Sequence, residues 1–293
     1  MIPGAFDYHS PATLDEAVAL LDSLGHEAKI LAGGHSLIPA MRFRLALPGA
    51  LIDINRIADL EYIREESGGL AIGGLTRESA LEESALINQS YPLLADTARV
   101  IADPLVRNLA TIGGNLAHAD PANDHPATML AYGADIIAHG ADGKRTIAVD
   151  DFFTGLFETL LASNEILTEI RIPAPAAGSG GAYLKLERKV GDYAVSAVAV
   201  QLTLDGGAVS AARIGLTNVS PVPLRATDAE QALVGQAPTA ETLAAAGQAA
   251  AAQCDPSADL RGSIEYKRDV TRVLTQRAIA KAVARAMEPA EGS

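Results

Sequence analysis

Two short stretches of the chain combine paired glycines with small polar side chains, a pattern that suits the binding of an anion by the backbone. Gly33 and Gly34 lie in the stretch AGGHS, and Gly113 and Gly114 lie in TIGGN. Consecutive backbone N–H groups without Cβ atoms can converge on phosphate oxygens. No Lys or Arg stands between either pair and the next apolar residue, which agrees with binding by the backbone. For either pair alone, a tight turn between a strand and a helix is the alternative interpretation.

The residues around the glycines do not fit other familiar sites. The dinucleotide fingerprint Gly-x-Gly-x-x-Gly is absent from the chain, and no Gly-Lys-Ser/Thr follows either pair. A nucleophile elbow would need glycine two residues after Ser36, where Ile38 stands. The second motif is followed by a cluster that could in principle ligate a metal, but its histidine spacing and prolines do not match a zinc template. Its members are His118, Asp120, Asp124 and His125. We predict no metal site and no catalytic residue in this chain.

Composition and charge restrict the class of protein. The chain has 293 residues, 48% of them hydrophobic, and a net charge of −13, which disfavours nucleic acid and anionic membrane surfaces as partners. No apolar run approaches the roughly 20 residues of a membrane span. The start of the chain lacks the features of a signal peptide. A cytoplasmic location is expected, with association at the inner face of the membrane only through a complex.

Cysteine content limits the redox chemistry of the chain. Cys254 is the single cysteine, which excludes an internal disulfide and an iron–sulfur cluster held by this chain alone. We expect it to behave as a small buried hydrophobe.

Helices and strands alternate in the first part of the chain. Thr13 and Glu16 form a capping-box pattern that predicts a helix of about 11 residues ending at Gly25. The stretch TRESALEES is predicted to start a helix in which the hydroxyl and carboxylate suit the positive end of the dipole. NDHPATMLAYG predicts a short helix ended by Gly133. The predicted strands are AKIL, ALIDI, GLAIGG, ADIIAHG, KRTIAV and EILTEIRIP.

A break in both periodicities divides the chain. The stretch RIPAPAAGSGGAY places a domain junction near 174–181. Three antiparallel strands are predicted beyond it, in AYLKLER, YAVSAVAVQLTL and AVSAARIGLT, with a Gly-Gly turn between the last two. Three helical patterns follow. The last is predicted to bury one face and to leave its basic residues solvated. That predicted buried face comprises Val270, Val273, Leu274 and Ala278.

Nearly the whole chain resembles the FAD-binding medium subunits of molybdenum hydroxylases, in particular those of the aerobic carbon monoxide dehydrogenase type. The resemblance is carried by AGGHSLIPAMRFRLALP, IADPLVRNLATIGGNLAHADPANDHPA, KLERKVGDYAV, RIGLTNV and DLRGSIEYKRDV. The two glycine motifs, in this order and at this spacing, are the specific part of the match. Either motif alone would be a weak signal.

The resemblance implies an α+β fold of the vanillyl-alcohol-oxidase-like (PCMH) type. A two-lobed FAD-binding domain would occupy 1–176, with lobes of about 1–57 and 58–176. A smaller C-terminal flavoprotein domain, with a three-stranded antiparallel sheet and helices, would occupy 177–288, and a tail 289–293.

The same resemblance implies the residues that hold the cofactor. The two motifs would bracket the FAD pyrophosphate, Ile101 would lie beside the flavin, Asp124 at a ribose hydroxyl, Leu167 near the adenine and Lys185 at the cofactor. Tyr193 would lie against the isoalloxazine ring; without the resemblance it reads as a residue of a core strand. The motif residues implied are Ala32, Gly33, Gly34, His35, Ser36, Leu37, Thr111, Ile112, Gly113, Gly114 and Asn115.

The resemblance further implies that substrate oxidation takes place elsewhere. A large molybdopterin subunit would oxidise the substrate, a small subunit would carry two two-iron two-sulfur clusters, and this chain would pass electrons from non-covalent FAD to an external acceptor within a dimer of heterotrimers. Carbon monoxide, N-heterocycles, aldehydes and purine alkaloids all stay open as substrates. Two further alternatives are a stand-alone oxidase with FAD attached through His35, and an FAD-binding assembly module with a structural role only.

Overall fold

The first lobe is built on a parallel sheet of three strands. In the computed structural model, which describes residues 2–66 and 68–288, these strands run in the order β1-β3-β2. The helix α1 confirms the capping prediction, because Thr13 Oγ1 accepts a hydrogen bond from the Glu16 amide at 3.3 Å and Gly25 ends the helix with a φ of 58°. The elements are β1 (Asp7–His9), α1 (Leu14–Leu24), β2 (Ala28–Leu31), α2 (Leu37–Arg42) and β3 (Ala50–Asp53).

The second lobe is built on an antiparallel sheet of five strands in the order β4-β5-β10-β6-β7. The central strand β10 pairs with β5 on one side and with β6 on the other. A buried apolar cluster lies between this sheet and the helices that precede β6. The elements are β4 (Ile63–Glu66), β5 (Gly69–Gly73), α3 (Glu78–Glu83), α4 (Ala85–Ser90), α5 (Pro92–Val100), α6 (Pro104–Arg107), α7 (Ile112–His118), α8 (Asp124–Tyr132), β6 (Asp135–Gly140), β7 (Gly143–Ala148), α9 (Val149–Phe152), β8 (Phe153–Gly155), β9 (Glu158–Thr159) and β10 (Ile166–Pro173).

The start of α3 differs from its prediction. The N-cap residue is Arg77, and its side chain makes no capping hydrogen bond. The buried Thr76 hydroxyl instead donates to the carbonyl of Tyr62 at 2.8 Å and accepts from the amide of Tyr62 at 3.2 Å. The predicted carboxylate, Glu78, does lie in the first turn, where it faces His125 at 2.7 Å. The predicted role of the Thr76 hydroxyl at the start of α3 was wrong, because that hydroxyl bonds to the backbone of Tyr62 instead.

The C-terminal domain contains a sheet in the order β11-β12-β13-β14, packed against helices. The three predicted strands are present, and the Gly206-Gly207 turn has φ values of 57° and 84°. The prediction of three strands was one short, since the fourth has only two residues and is too short to show a periodicity. The elements are β11 (Ser179–Leu186), β12 (Ser196–Asp205), β13 (Ala208–Thr217), β14 (Leu224–Arg225), α10 (Thr227–Leu233), α11 (Ala240–Gln253) and α12 (Ile264–Met287).

The buried face of α12 is displaced from the predicted one. Of the predicted residues, only Ala278 is fully buried. Thr271 and Thr275 can be buried because their hydroxyls donate to the carbonyls four residues earlier, at 2.7 and 2.8 Å. The residues that α12 buries are Lys267, Thr271, Thr275, Ala278, Ile279 and Ala282.

The basic residues of α12 are not all solvated, contrary to the prediction. Lys267 is buried and donates to Asp259 Oδ2 at 2.8 Å. Lys281 and Arg285 both reach Asp96 on α5, at 2.8 and 2.7 Å. The last helix therefore joins the C-terminal domain to the second lobe through charged side chains.

Cys254 is buried, as predicted, and burial raises the pKa of its thiol to about 11. Among the described residues, no helix is both long and apolar enough to cross a membrane. The predicted tail 289–293 lies outside the described residues.

Candidate functional site

The first glycine motif connects β2 to α2. Gly34 has a φ of 72°, a left-handed conformation that favours glycine. His35 is exposed, and Ser36 is the N-cap residue of α2, which begins at Leu37. The first lobe therefore presents Ala32 to Leu37 at the end of a parallel strand.

The second motif forms the first turn of α7 rather than a loop before it. Thr111 caps this helix, because its hydroxyl accepts a hydrogen bond from the amide of Gly114 at 3.2 Å. Ile112 and Gly113 are buried, whereas Gly114 and Asn115 are half-buried. The motif is anchored on the segment before α3, where the amide of Gly113 donates to the carbonyl of Gly74 at 3.0 Å.

The two motifs come from different lobes and lie against each other. A Cβ atom placed on Gly33 would be 2.4 Å from the carbonyl oxygen of Leu109 and 2.7 Å from Ala110 Cα. A Cβ atom on Gly114 would lie 3.8 Å from the Cβ of Ala32. The structure thus brings together the two stretches that the sequence predicts to act as one site.

Close backbone packing explains why glycine is required at two of the four motif positions, Gly33 and Gly113. Gly33 contacts the backbone of Leu109, and a Cβ atom on Gly113 would lie 2.4 Å from the carbonyl oxygen of Gly74. A Cβ atom on Gly74 would in turn lie 2.5 Å from the carbonyl oxygen of Leu167. Leu167, which is buried on β10, is therefore connected to the second motif through close backbone contacts.

Gly114 is different, because its near neighbours outside the helix backbone are side-chain atoms. A Cβ atom there would meet only the Thr111 hydroxyl at 2.8 Å and the methyl group of Ala32 outside the helix's own backbone. The side-chain carbonyl oxygen of the neighbouring Asn115 is buried and has no hydrogen-bond partner in the described part of the protein. A bare backbone and an unsatisfied buried acceptor lie side by side, as expected of a surface that is completed by a ligand.

Asp124 and Lys185 form a buried ion pair between the second lobe and the C-terminal domain. Lys185 Nζ lies 3.0 Å from Asp124 Oδ2, and it also donates to the carbonyl of Val100 at 3.0 Å. The hydroxyl of Tyr183 donates to Asp124 Oδ1 at 2.6 Å. Burial raises the pKa of Asp124 although Lys185 and Tyr183 oppose this effect. Tyr183 is a residue of this cluster that no sequence motif indicated.

Ile101 and Tyr193 belong to two segments that contact each other. Ile101 ends α5 and is buried. A Cβ atom on Gly191 would be 3.0 Å from the carbonyl oxygen of Ala102, which places the loop of Tyr193 beside Ile101. The structure corrects one interpretation of Tyr193: it precedes β12, and its side chain is 43% exposed rather than part of a core strand. The guanidinium of Arg261 lies 5.3 Å from the centre of its ring.

The four residues weighed as possible metal ligands do not converge in the described part of the chain. His125 Nε2 faces Glu78 Oε2 at 2.7 Å, and Asp124 faces Lys185. His118 packs against the ring of Phe157. Across residues 2–66 and 68–288, no three His, Cys, Asp or Glu side chains converge on a common point.

A cavity of about 430 Å³ lies away from both motifs. It lies between the start of α1 and the five-stranded sheet. Its lining residues include Arg56, His139 and Glu169. None of the predicted cofactor residues lines it. The candidate site is therefore the junction of the two glycine motifs, and this cavity is a separate feature.

Comparisons with known proteins identify the family of this chain. Residues 4–175 match the family of FAD-binding domains in molybdopterin dehydrogenases, and residues 181–282 match the carbon monoxide dehydrogenase flavoprotein C-terminal domain. The carbon monoxide dehydrogenase medium chain of Hydrogenophaga pseudoflava is 49% identical, over 97% of this chain and 99% of that one.

Solved structures give the same result for the fold. A carbon monoxide dehydrogenase structure from Hydrogenophaga pseudoflava matches with a TM-score of 0.95 and 52% identity, over 97% of this chain and 99% of that one. Quinoline 2-oxidoreductase from Pseudomonas putida 86 matches with a TM-score of 0.92 and 33% identity, over 98% of this chain and 100% of that one. The chain thus belongs to the FAD-binding medium subunits of the molybdenum hydroxylases, within the branch that includes carbon monoxide dehydrogenase.

Proposed function

We propose that this chain holds one non-covalent FAD and passes electrons from the iron–sulfur clusters of a small partner subunit to an external acceptor, while a large molybdenum subunit oxidises carbon monoxide. The observation that supports this proposal most directly is the close packing of the first motif, at Gly33, against Leu109 and Ala110, the two residues that lead into the second motif. A dimer of heterotrimers is the assembly we propose.

The residues present at the junction fit an FAD pyrophosphate. A backbone amide without a side chain lies at Gly34 and can bind a phosphate oxygen without a cation. The Gly114 amide already donates to the Thr111 hydroxyl, so the second motif would contribute its close backbone approach to the ligand. The unsatisfied oxygen of Asn115 can accept a hydrogen bond from a ligand hydroxyl. When bound, FAD supplies a carrier that can accept electrons singly and release them to an acceptor.

The residues of the C-terminal domain extend this site. Lys185 and Asp124 hold each other in the buried interface, so an ammonium and a carboxylate have fixed positions beside Ile101. We assign to this pair the orientation of the ribose end of the cofactor. Tyr193, which is partly exposed on its loop, is assigned to the face of the isoalloxazine ring.

The assignment of carbon monoxide as substrate rests on similarity. The identity is 49% with a carbon monoxide dehydrogenase medium chain and 33% with the corresponding chain of a quinoline oxidoreductase. An N-heterocycle is therefore the second candidate. We expect the residues that select between carbon monoxide and an N-heterocycle to lie on the molybdenum subunit.

The attachment and stoichiometry of the flavin test the proposal. We expect the purified chain to contain FAD in a one-to-one ratio and to release all of it into the supernatant after acid precipitation. His35 is exposed beside the first motif, which makes covalent attachment the sharpest competing model. Yellow colour that stays with the precipitated protein would establish that model instead. A His35→Ala variant is the control, and it should retain most of its FAD.

A further inference from the structure

A chain of hydrogen bonds through Asn55 and Arg77 joins the two glycine motifs. The side-chain amide of Asn55 donates to the carbonyl of Ala32, in the first motif, at 2.9 Å. Arg77 Nη2 donates to Asn55 Oδ1 at 2.6 Å, and Arg77 Nη1 donates to the carbonyl of Leu109, just before the second motif. One lobe supplies Asn55 and the other supplies Arg77.

We propose that Asn55 and Arg77 are positioning residues that set the spacing of the two motifs and thereby the affinity of the phosphate-binding site. This inference deepens the proposed function and rests on it. The two side chains do not need to touch the cofactor for this role, because they hold the backbone that does.

The atoms they hold lie at the contact between the lobes. The carbonyl oxygen of Leu109, which accepts from Arg77, is the atom that a Cβ on Gly33 would approach to 2.4 Å. Ala32, whose carbonyl accepts from Asn55, is the residue whose methyl group faces Gly114. A shift of either carbonyl would therefore change the distance between the two glycine motifs.

Asn55 is unusually constrained for an exposed residue. Its amide also donates to Asp53 Oδ1 at 2.7 Å, so both donor hydrogens and the acceptor of the side chain are used. Asp53 is itself held by the hydroxyl of Tyr8 at 2.6 Å. Partial burial works to raise the pKa of Asp53, but the hydrogen bonds from Tyr8 and Asn55 hold it below its ordinary value. The network thus fixes one rotamer of Asn55 at the edge of the site.

A contact that only holds the lobes together offers a matched control. Asn164, in the second lobe, donates to Asp22 Oδ1, in the first lobe, at 3.1 Å. In the described part of the chain, neither residue makes a hydrogen bond to a glycine motif. Asn164→Ala therefore removes one inter-lobe hydrogen bond without touching the proposed network.

The experiment is a titration of FAD, and separately of ADP, into the flavin-depleted chain, together with a denaturant unfolding curve for each variant. A hydrogen bond from a charged donor contributes more than one from a neutral donor. We therefore expect Asn55→Ala to raise the Kd for FAD roughly fivefold and Arg77→Ala to raise it roughly tenfold. ADP, which carries the pyrophosphate without the flavin, should lose affinity by a similar factor.

Two further results separate positioning from a general structural effect. The double variant should be little weaker than either single variant, because both residues belong to one chain of hydrogen bonds. Arg77→Lys keeps a cation that can reach one of the two acceptors and should recover part of the affinity. Asn164→Ala should leave the Kd for FAD within about twofold of wild type even if it lowers stability.

The outcomes distinguish this inference from the proposed function. Unchanged FAD affinity in Asn55→Ala and Arg77→Ala, with the wild type still binding one FAD, would overturn the positioning role alone. An equal loss of affinity in Asn164→Ala would also overturn it, since the effect would then follow stability. Failure of the wild-type chain to bind FAD would instead contradict the proposed function.

Discussion

At the scale of single residues, Gly33 and Gly113 are the glycines of the candidate site that pack most closely against other backbone, and Gly33 is the one that joins the two lobes. Its neighbours are backbone atoms, which cannot move aside as the end of a flexible side chain can. The requirement for glycine at this position therefore arises from contact between two segments of the protein. The surroundings of Gly114 differ, since a Cβ atom there would meet the Thr111 side chain rather than backbone.

We predict that Gly33→Ala weakens FAD binding and destabilises the fold. The added methyl group would lie 2.4 Å from the carbonyl oxygen of Leu109, so the two motifs must separate. Overpacking of this kind costs about 1 to 3 kcal/mol. Equilibrium unfolding and FAD titration would measure both effects. Gly4→Ala is the control, because a Cβ there would meet only Leu47 Cδ2 at 3.6 Å, an ordinary contact. Equal behaviour of the two variants would count against the observed packing of the motifs.

The sequence points to candidate site residues, but it does not reveal which side chains pair with them. The glycine motifs are local patterns, and the structure brings the two stretches together. Asp124 and Lys185 were predicted as separate contacts to the cofactor, and the structure shows that they bind each other across 61 positions of sequence. The link from Asn55 to Arg77 left no trace in the sequence, because single asparagines and arginines are common surface residues.

At the scale of elements, α12 connects the two domains through Asp96. This carboxylate accepts from Lys281 and from both terminal nitrogens of Arg285, and it also accepts from the amide of Tyr183. Burial works to raise the pKa of Asp96, but Arg285 and Lys281 hold it below the ordinary value. A helix at the end of the chain is thereby fixed to a helix of the second lobe.

We predict that Asp96→Asn destabilises the protein by about 3 kcal/mol, the lower end of the range for breaking a buried ion pair, since both cations remain partly exposed. The exposed pair of Asp269 with Arg272, on the same helix, gives the control: Asp269→Asn should change stability by less than about 1 kcal/mol. Denaturant unfolding at neutral pH measures both. Equal effects of the two variants would contradict the role of Asp96.

The difference in unfolding free energy between wild type and Asp96→Asn should depend on pH. Because the folded-state pKa of Asp96 is lowered, its contribution is complete above the ordinary aspartate pKa of about 4 and is lost as the pH falls through the folded-state value. Wild type and Asp96→Asn should therefore approach each other in stability only under acidic conditions below about pH 4. A difference that disappears already near neutral pH would point to another group.

Elements with strong local signals were predicted well, and elements fixed by tertiary contacts were not. The helix from Thr13 to Gly25 has a cap at each end, and the predicted strands show clear apolar patterns. The buried face of α12 was misplaced because Thr271 and Thr275 satisfy their own hydroxyls and Lys267 finds a carboxylate. Polar residues on a buried face cannot be recognised from periodicity alone.

At the scale of the whole molecule, the chain has the features of a carrier of electrons within a complex. In the described residues no three metal-ligating side chains converge, and the single cysteine cannot hold a cluster alone. Near the motifs, Asn55 and Arg77 bond to backbone carbonyls. Asp124 and Lys185 form an ion pair between the second lobe and the C-terminal domain. The assignment of substrate chemistry to partner subunits rests on the family, whose FAD-binding medium chains are subunits of carbon monoxide dehydrogenase complexes.

The most direct test of this account is rapid mixing of carbon monoxide with the intact complex after its FAD has been removed. Iron–sulfur reduction is followed by absorbance, and turnover is followed with an artificial acceptor that the holoenzyme reduces only through FAD. We predict that the clusters are reduced as they are in the holoenzyme, while turnover stops and returns when FAD is added back. Clusters that stay oxidised in the flavin-depleted complex, when those of the holoenzyme are reduced, would contradict the placement of this chain at the end of the electron path.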